Sequence, residues 1–146
     1  MPGTRTTRKP QKRVNPPTPE VIEEALDPSP EDLDSRWLTA VRAADEKQAI
    51  DIQAFDLRGV TSIADVFVIC HGRNPRQNQT IADEIEKQLK AQGDRPIAVE
   101  GFTNAEWILM DYGACIIHIF SEKAREYYGL DRLYRDALRL EVSPAK

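Results

Sequence analysis

A chain of 146 residues with a formal charge of −4 leaves room for one domain and a tail. Its 40% apolar and 30% charged residues are those of an ordinary globular protein, and no apolar run approaches the roughly 18 residues that a bilayer crossing needs. The acidic balance argues against unaided nucleic-acid binding by the core, which would need a basic patch to neutralise phosphates, and it favours a basic protein partner.

Residues 1–34 read as a disordered, Pro-rich charged tail. Seven of the ten prolines fall here, with a basic block (Arg5, Arg8, Lys9, Lys12, Arg13) ahead of an acidic one (Glu20, Glu23, Glu24, Asp27, Glu31, Asp32, Asp34). Such a segment buries too little apolar area to offset its ordering entropy. The start of the chain carries no apolar signal core. Cys70 and Cys115 both sit in apolar strand-like runs, which opposes a disulfide framework and suits a reducing, cytoplasmic setting.

Residues 35–140 read as the folded domain, with 141–146 as a short C-terminal tail. Ser35 is placed to cap a helix to Ala49, whose apolar face is Trp37, Leu38, Val41, Ala44 and Ala49. Ile50–Leu57 alternates as a strand does, and Asp65–Cys70 is apolar enough for a strand buried on both faces. Asn74, Pro75 and Gln77 form a helix start with capping-box spacing, for a helix to about Gln92 stopped by Gly93. Ile97–Val99 is a short strand. Ser121–Tyr128 and Leu130–Arg139 read as helices. The order of elements describes an α/β fold with a mixed sheet and helices on its faces.

Between these helices and Ile97–Val99 lies the stretch on which function turns, Glu100–Phe120. Trp107–Met110 and Ala114–Phe120 read as strands around a two-residue loop, Tyr112–Gly113, where glycine supplies the positive φ of a tight hairpin. Alternation puts Trp107, Leu109 and Asp111 on one face. That face is either core or docking surface. Truncating Trp107 to alanine distinguishes the two, since a docking tryptophan costs binding and a packed one costs melting temperature.

Catalytic readings find little support. Cys70-His71 and Cys115-x-x-His118 resemble metal ligands, but strand residues one or three apart point to opposite faces. The loop His71–Gln77 lacks the Gly and Lys spacing of a P-loop. Two-metal nucleotidyl transfer needs paired carboxylates such as Asp-x-Asp, absent from the core, so only a composite site from Asp56, Asp65 and Asp111 keeps a metal-dependent nucleotidyltransferase open. Asp56 and Asp65 fit better as ties for the Leu57–Ala64 connection. No Gly-x-Ser-x-Gly elbow occurs. The remaining concentration of amphipathic side chains, Trp107, Leu109, Asp111, Tyr112, Tyr127, Tyr128 and Leu130, suits either packing or protein docking, because Trp and Tyr dominate binding hot spots.

The runs DLRGVTSIADVFVICHGRNPRQNQTIADEIE, VEGF…EWILMDYGACIIHIF and AREYYGLDRLY, in that order from roughly Leu38 to Tyr134, resemble the ribosomal silencing factor (Iojap-related) family. The resemblance implies a mixed five-stranded sheet flanked by helices, of nucleotidyltransferase-like topology without the catalytic carboxylate pair. It implies a non-enzymatic protein without cofactor or metal, often dimeric. Such proteins bind uL14 on the large ribosomal subunit, block joining of the small one and repress translation when nutrients are short. Carried onto the matching motifs, the uL14-facing residues are Trp107, Leu109, Asp111 and Tyr112 of the hairpin with Tyr127, Tyr128 and Asp131 after it.

Overall fold

The two most apolar runs of the chain lie side by side at the centre of a sheet. In a computed structural model that describes residues 33–142, β2 (Val66–Gly72) and β5 (Cys115–Ser121) pair in parallel, with Val66 opposite Cys115 and Gly72 opposite Ser121. Parallel strands bury both faces, and β5 is buried from Cys115 through Phe120. β1 (Ile50–Asp56) runs antiparallel to β2, and β4 (Trp107–Asp111) antiparallel to β5. Short strands β3 (Ala98–Glu100) and β6 (Leu138–Leu140) form the edges, in the order β3-β4-β5-β2-β1-β6. The tail expected over residues 1–34 lies outside the described residues as far as Asp32, and so do residues 143–146 of the expected C-terminal tail.

The sheet has six strands, which corrects the expectation of five. The additional strand comes from Leu130–Arg139, expected to be helical throughout. The helix there stops at Leu133, Ala137 N–H donates to the Tyr134 carbonyl at 2.9 Å, and Leu138–Leu140 pairs with β1. Leu138, Leu140 and Val142 recur every second residue, a strand period masked by the helical spacing of Leu130, Leu133 and Tyr134 just before it.

Helices α1 (Arg36–Glu46) and α2 (Pro75–Ala91) cover one face of the sheet. Val41, Ala44, Ile81, Ile85 and Leu89 meet Val68, Cys70, Ile108, Met110, Ile117 and Ile119 there. Leu33 is part of this layer, so the ordered fold begins ahead of residue 35. The start of α1 is held differently from expectation. Ser35 makes no capping bond; Asp34 Oδ1 instead accepts Arg36 N–H at 3.0 Å, and Asp34 Oδ2 accepts Arg36 Nε–H at 2.8 Å. The helix leaves through Gln48 at a left-handed φ of 64°, so Ala49 is outside it.

The start of α2 follows the sequence closely. Asn74 Oδ1 accepts Gln77 N–H at 2.8 Å, and Pro75 occupies the first turn. Gln77 Oε1 reaches Arg73 N–H at 2.6 Å, and its Nε2 donates to the carbonyls of Lys47 and Gln48, both at 3.1 Å. One side chain thus ties the beginning of α2 to the end of α1.

On the opposite face, Phe55, Leu57, Phe67, Ile69, Ile116 and Phe120 pack under α3 (Glu122–Tyr128), α4 (Leu130–Leu133) and the turn that follows, through Ala124, Leu130, Tyr134 and Ala137. Asp56 ties the connection after β1, accepting Arg58 N–H at 3.1 Å and Arg58 Nη2–H at 2.8 Å. Burial opposes its ionisation, but the Arg58 bonds outweigh that and hold its carboxyl below the usual range.

Candidate protein-docking face

The hairpin that carries Trp107 turns one residue later than expected. Tyr112 N–H donates to the Cys115 carbonyl at 2.9 Å, so the two-residue loop is Gly113–Ala114, with Gly113 at φ +90° and its N–H donating to Asp111 Oδ1 at 2.8 Å. Tyr112 therefore continues the alternation of Ile108 and Met110. It points into the layer under α1 and α2, 3% exposed, with the Arg36 guanidinium 6.0 Å from its ring centre. Burial pushes its hydroxyl up to about 12. The expectation that Tyr112 shares a docking face with Trp107 is corrected by this placement: the two are neighbours along the chain but on opposite sides of the sheet.

The face shared by Trp107, Leu109 and Asp111 is the second one, and its helical cover thins toward β3 and β4. All three are half-buried, whereas Ile116, His118 and Phe120 beside them on β5 are buried. The Trp107 ring lies 5.0 Å from Phe120 and 4.6 Å from Tyr128, which α3 brings over it. Tyr127 meets Tyr128 edge-on at 4.9 Å and is 78% exposed; Tyr128 is 50% exposed. The structure thus assembles Trp107, Leu109, Tyr127 and Tyr128 into one partly open aromatic and aliphatic patch. Its rim is acidic. Glu100 lies opposite Leu109 across the β3–β4 pair and is exposed, Asp111 caps the hairpin turn, and Glu106 accepts the Ser121 hydroxyl at 2.8 Å.

Asp131, expected on the docking face, is paired within the fold and 28% exposed at its side chain. It faces Arg125, which donates to Asp131 Oδ1 through Nε at 3.1 Å and to Oδ2 through Nη2 at 2.8 Å. Burial opposes ionisation of Asp131, but these bonds and the nearby positive charge hold its carboxyl below the usual range. The same guanidinium donates through Nη1 to the Asp51 carbonyl at 2.8 Å and lies 2.9 Å from His71 Nδ1. Asp51 sits in a bulge of β1 at a left-handed φ of 50°, between Ile50 and Gln53 where the register with β2 shifts. Arg125 is a clasp, fastening α3 and α4 to the irregular end of β1. Sequence reasoning missed it, because an arginine among Glu122, Lys123 and Glu126 reads as one more surface charge.

Cys70 and Cys115 are buried free thiols, each pushed up to about 12 by burial, which leaves them little thiolate character. Cys115 faces the helices α1 and α2 while His118 faces the other layer, as strand alternation requires. Among the described residues no three His, Cys, Asp or Glu side chains are grouped to hold a metal ion, and no helix there is long and apolar enough to cross a membrane.

Comparison with known proteins places these features in a family. Residues 30–146 match the family described as ribosomal silencing factor during starvation. The ribosomal silencing factor of Bacillus subtilis is 43% identical over 98 residues, covering 67% of this chain and 83% of that protein. Its counterpart in Halalkalibacterium halodurans is 40% identical over 103 residues, covering 70% and 88%. Two crystal structures share the fold. One, from Chromobacterium violaceum, has a TM-score of 0.67 at 26% identity, covering 69% of this chain and 84% of that one. The other, from Bacillus halodurans, has a TM-score of 0.64 at 35% identity, covering 72% and 95%. More distantly, a mouse protein named for mitochondrial assembly of the large ribosomal subunit is 27% identical over 92 residues, covering 61% of this chain and 40% of its own length. With an α/β fold of mixed sheet and flanking helices, and a match over most of its length, this chain belongs to the ribosomal silencing factor family.

Proposed function

We propose that this chain docks on protein uL14 of the large ribosomal subunit through the partly open face at β3 and β4, and that the docked domain keeps the small subunit from joining. The observation that carries this reading is the patch of Trp107, Leu109, Tyr127 and Tyr128 ringed by Glu100, Glu106 and Asp111. Large amphipathic side chains bury much area with few rotors to freeze, and an acidic rim steers a basic partner onto them. The mechanism is occupancy, not chemistry: a domain held rigid by the Arg125 clasp stands where the small subunit would have to sit. Its place of action is the cytoplasm. The succession β2, Gly72, α2 supports reading the sheet as a nucleotidyltransferase-like fold used for binding without catalysis.

Titration of isolated uL14 with the wild-type protein and with Leu109→Arg tests the docking face. Leu109 is only partly buried, and with melting matched to wild type as the control for folding, a cation set against a basic partner weakens binding about tenfold or more. Equal affinity of the two proteins places the interface elsewhere, and loss of self-association in place of uL14 binding assigns the patch to a homodimer.

A further inference from the structure

We infer that His118 is a positioning residue: its Nδ1 accepts the indole N–H of Trp107 and sets that ring in its docking orientation. The bond is 3.1 Å long and runs across the β4–β5 pair, with the two ring centres 5.9 Å apart. The inference rests on the docking reading and deepens it.

The chemistry leaves one tautomer. An indole N–H only donates, so His118 Nδ1 carries no proton and Nε2 carries the single one. An imidazolium, protonated at both nitrogens, could not accept this bond. Burial keeps the ring neutral, among Phe67 at 4.5 Å edge-on and Phe120 at 6.1 Å stacked. That arrangement is costly for the fold. His118 is 3% exposed, and among the described residues its Nε2 meets no hydrogen-bond partner, which leaves a buried donor unsatisfied within this layer. An apolar side chain of similar volume would fill the same space without that cost. What His118 supplies, and an apolar residue could not, is the acceptor that fixes Trp107. Held by His118 at the nitrogen and packed at a tilt against Phe120 and Tyr128, the indole has its orientation set before a partner arrives, and less freedom is lost on binding.

This makes stability and binding move in opposite directions, which a purely structural histidine would not do. His118→Leu removes the acceptor and the unsatisfied donor together; His118→Asn restores an acceptor near the Nδ1 position but packs less well. The readouts are thermal melting, the Trp107 indole signal in a ¹H–¹⁵N spectrum (assigned by its loss in Trp107→Phe), and affinity for purified large ribosomal subunits. For His118→Leu we expect melting at or above wild type, an upfield and faster-exchanging indole proton, and affinity down about tenfold, the weight of one net hydrogen bond. For His118→Asn we expect lower melting with the indole signal and affinity largely kept. In the Trp107→Phe background the leucine change should cost no further affinity. The inference is overturned if His118→Leu binds as wild type does, if it melts lower and weakens binding only in proportion, or if its loss persists without Trp107. Wild-type protein that fails to bind large subunits overturns the docking reading and this inference with it; that failure is distinguished by an indole signal that still reports the bond.

Discussion

His118 resists protonation because burial strips its charged form of water, and the more distant Asp131 carboxylate only partly offsets this; its pKa is pushed down to about 4. The unfolded chain takes up that proton near the ordinary value of about 6.5, so between these two values acid favours the unfolded state. The contribution is fully present above pH 6.5 and falls as the pH drops toward 4, by about 3 kcal/mol across the window. His71 is shifted in the same direction by burial and by the Arg125 charge. Asp34, Asp56 and Asp131, held low by their arginines, weaken only in stronger acid. Urea unfolding at pH 7.5 and pH 4.5 should show a clear loss of stability in the wild type and a smaller one in His118→Asn. Equal losses in both would remove His118 from the account.

At this scale the sequence was legible where chemistry is local. Asn74 caps and Asp56 ties its own turn because each partner is two or three residues away. Trp107 and Leu109 share a face because a strand alternates. Tyr112 was misplaced because it stands beside Asp111 in the chain, yet one more step along the strand turned it into the opposite layer. The Trp107–His118 bond depends on cross-strand register, which a single sequence does not display.

The α3–α4 unit is short, seven and four residues, and helices of that length do not hold themselves. Ser121 starts α3 by accepting Ala124 N–H at 3.0 Å, and Gly129 ends it at a left-handed φ of 62°. The main anchor is Arg125, 8% exposed, which bridges Asp131 and the carbonyl of Asp51. Removing a buried partner leaves the others unpaired, so Arg125→Ala should cost on the order of 3 kcal/mol in urea unfolding. Arg125→Lys should not restore it, since an ammonium cannot span these acceptors as a planar fork does. Near-wild-type stability of the alanine variant would show that α3 and α4 are held by packing alone. The bulge at Asp51 that Arg125 grips left no mark in the alternation of Ile50–Leu57, and β6 was hidden because a three-residue edge strand gives too few periods to outweigh the helical spacing before it.

For the whole molecule, the unequal cover of the two sheet faces is the feature that matters. Among the described residues, one side is closed by α1 and α2; the other is closed over β1, β2 and β5 and left partly open at β3 and β4. The central strands, the two long helices and the family were legible from apolar runs, caps and motif order. The shape of the open face was not, because it depends on where α3 places Tyr128 relative to Trp107. A domain of this size with a patch of a few anchors suffices for an interface of about 800 Å² on each partner, enough for a specific complex. Sucrose-gradient sedimentation of purified large and small subunits, with and without saturating protein, tests the central claim most directly. The account predicts that the joined-ribosome peak collapses into separate subunits with the protein travelling on the large one; undiminished joining at saturation would contradict it.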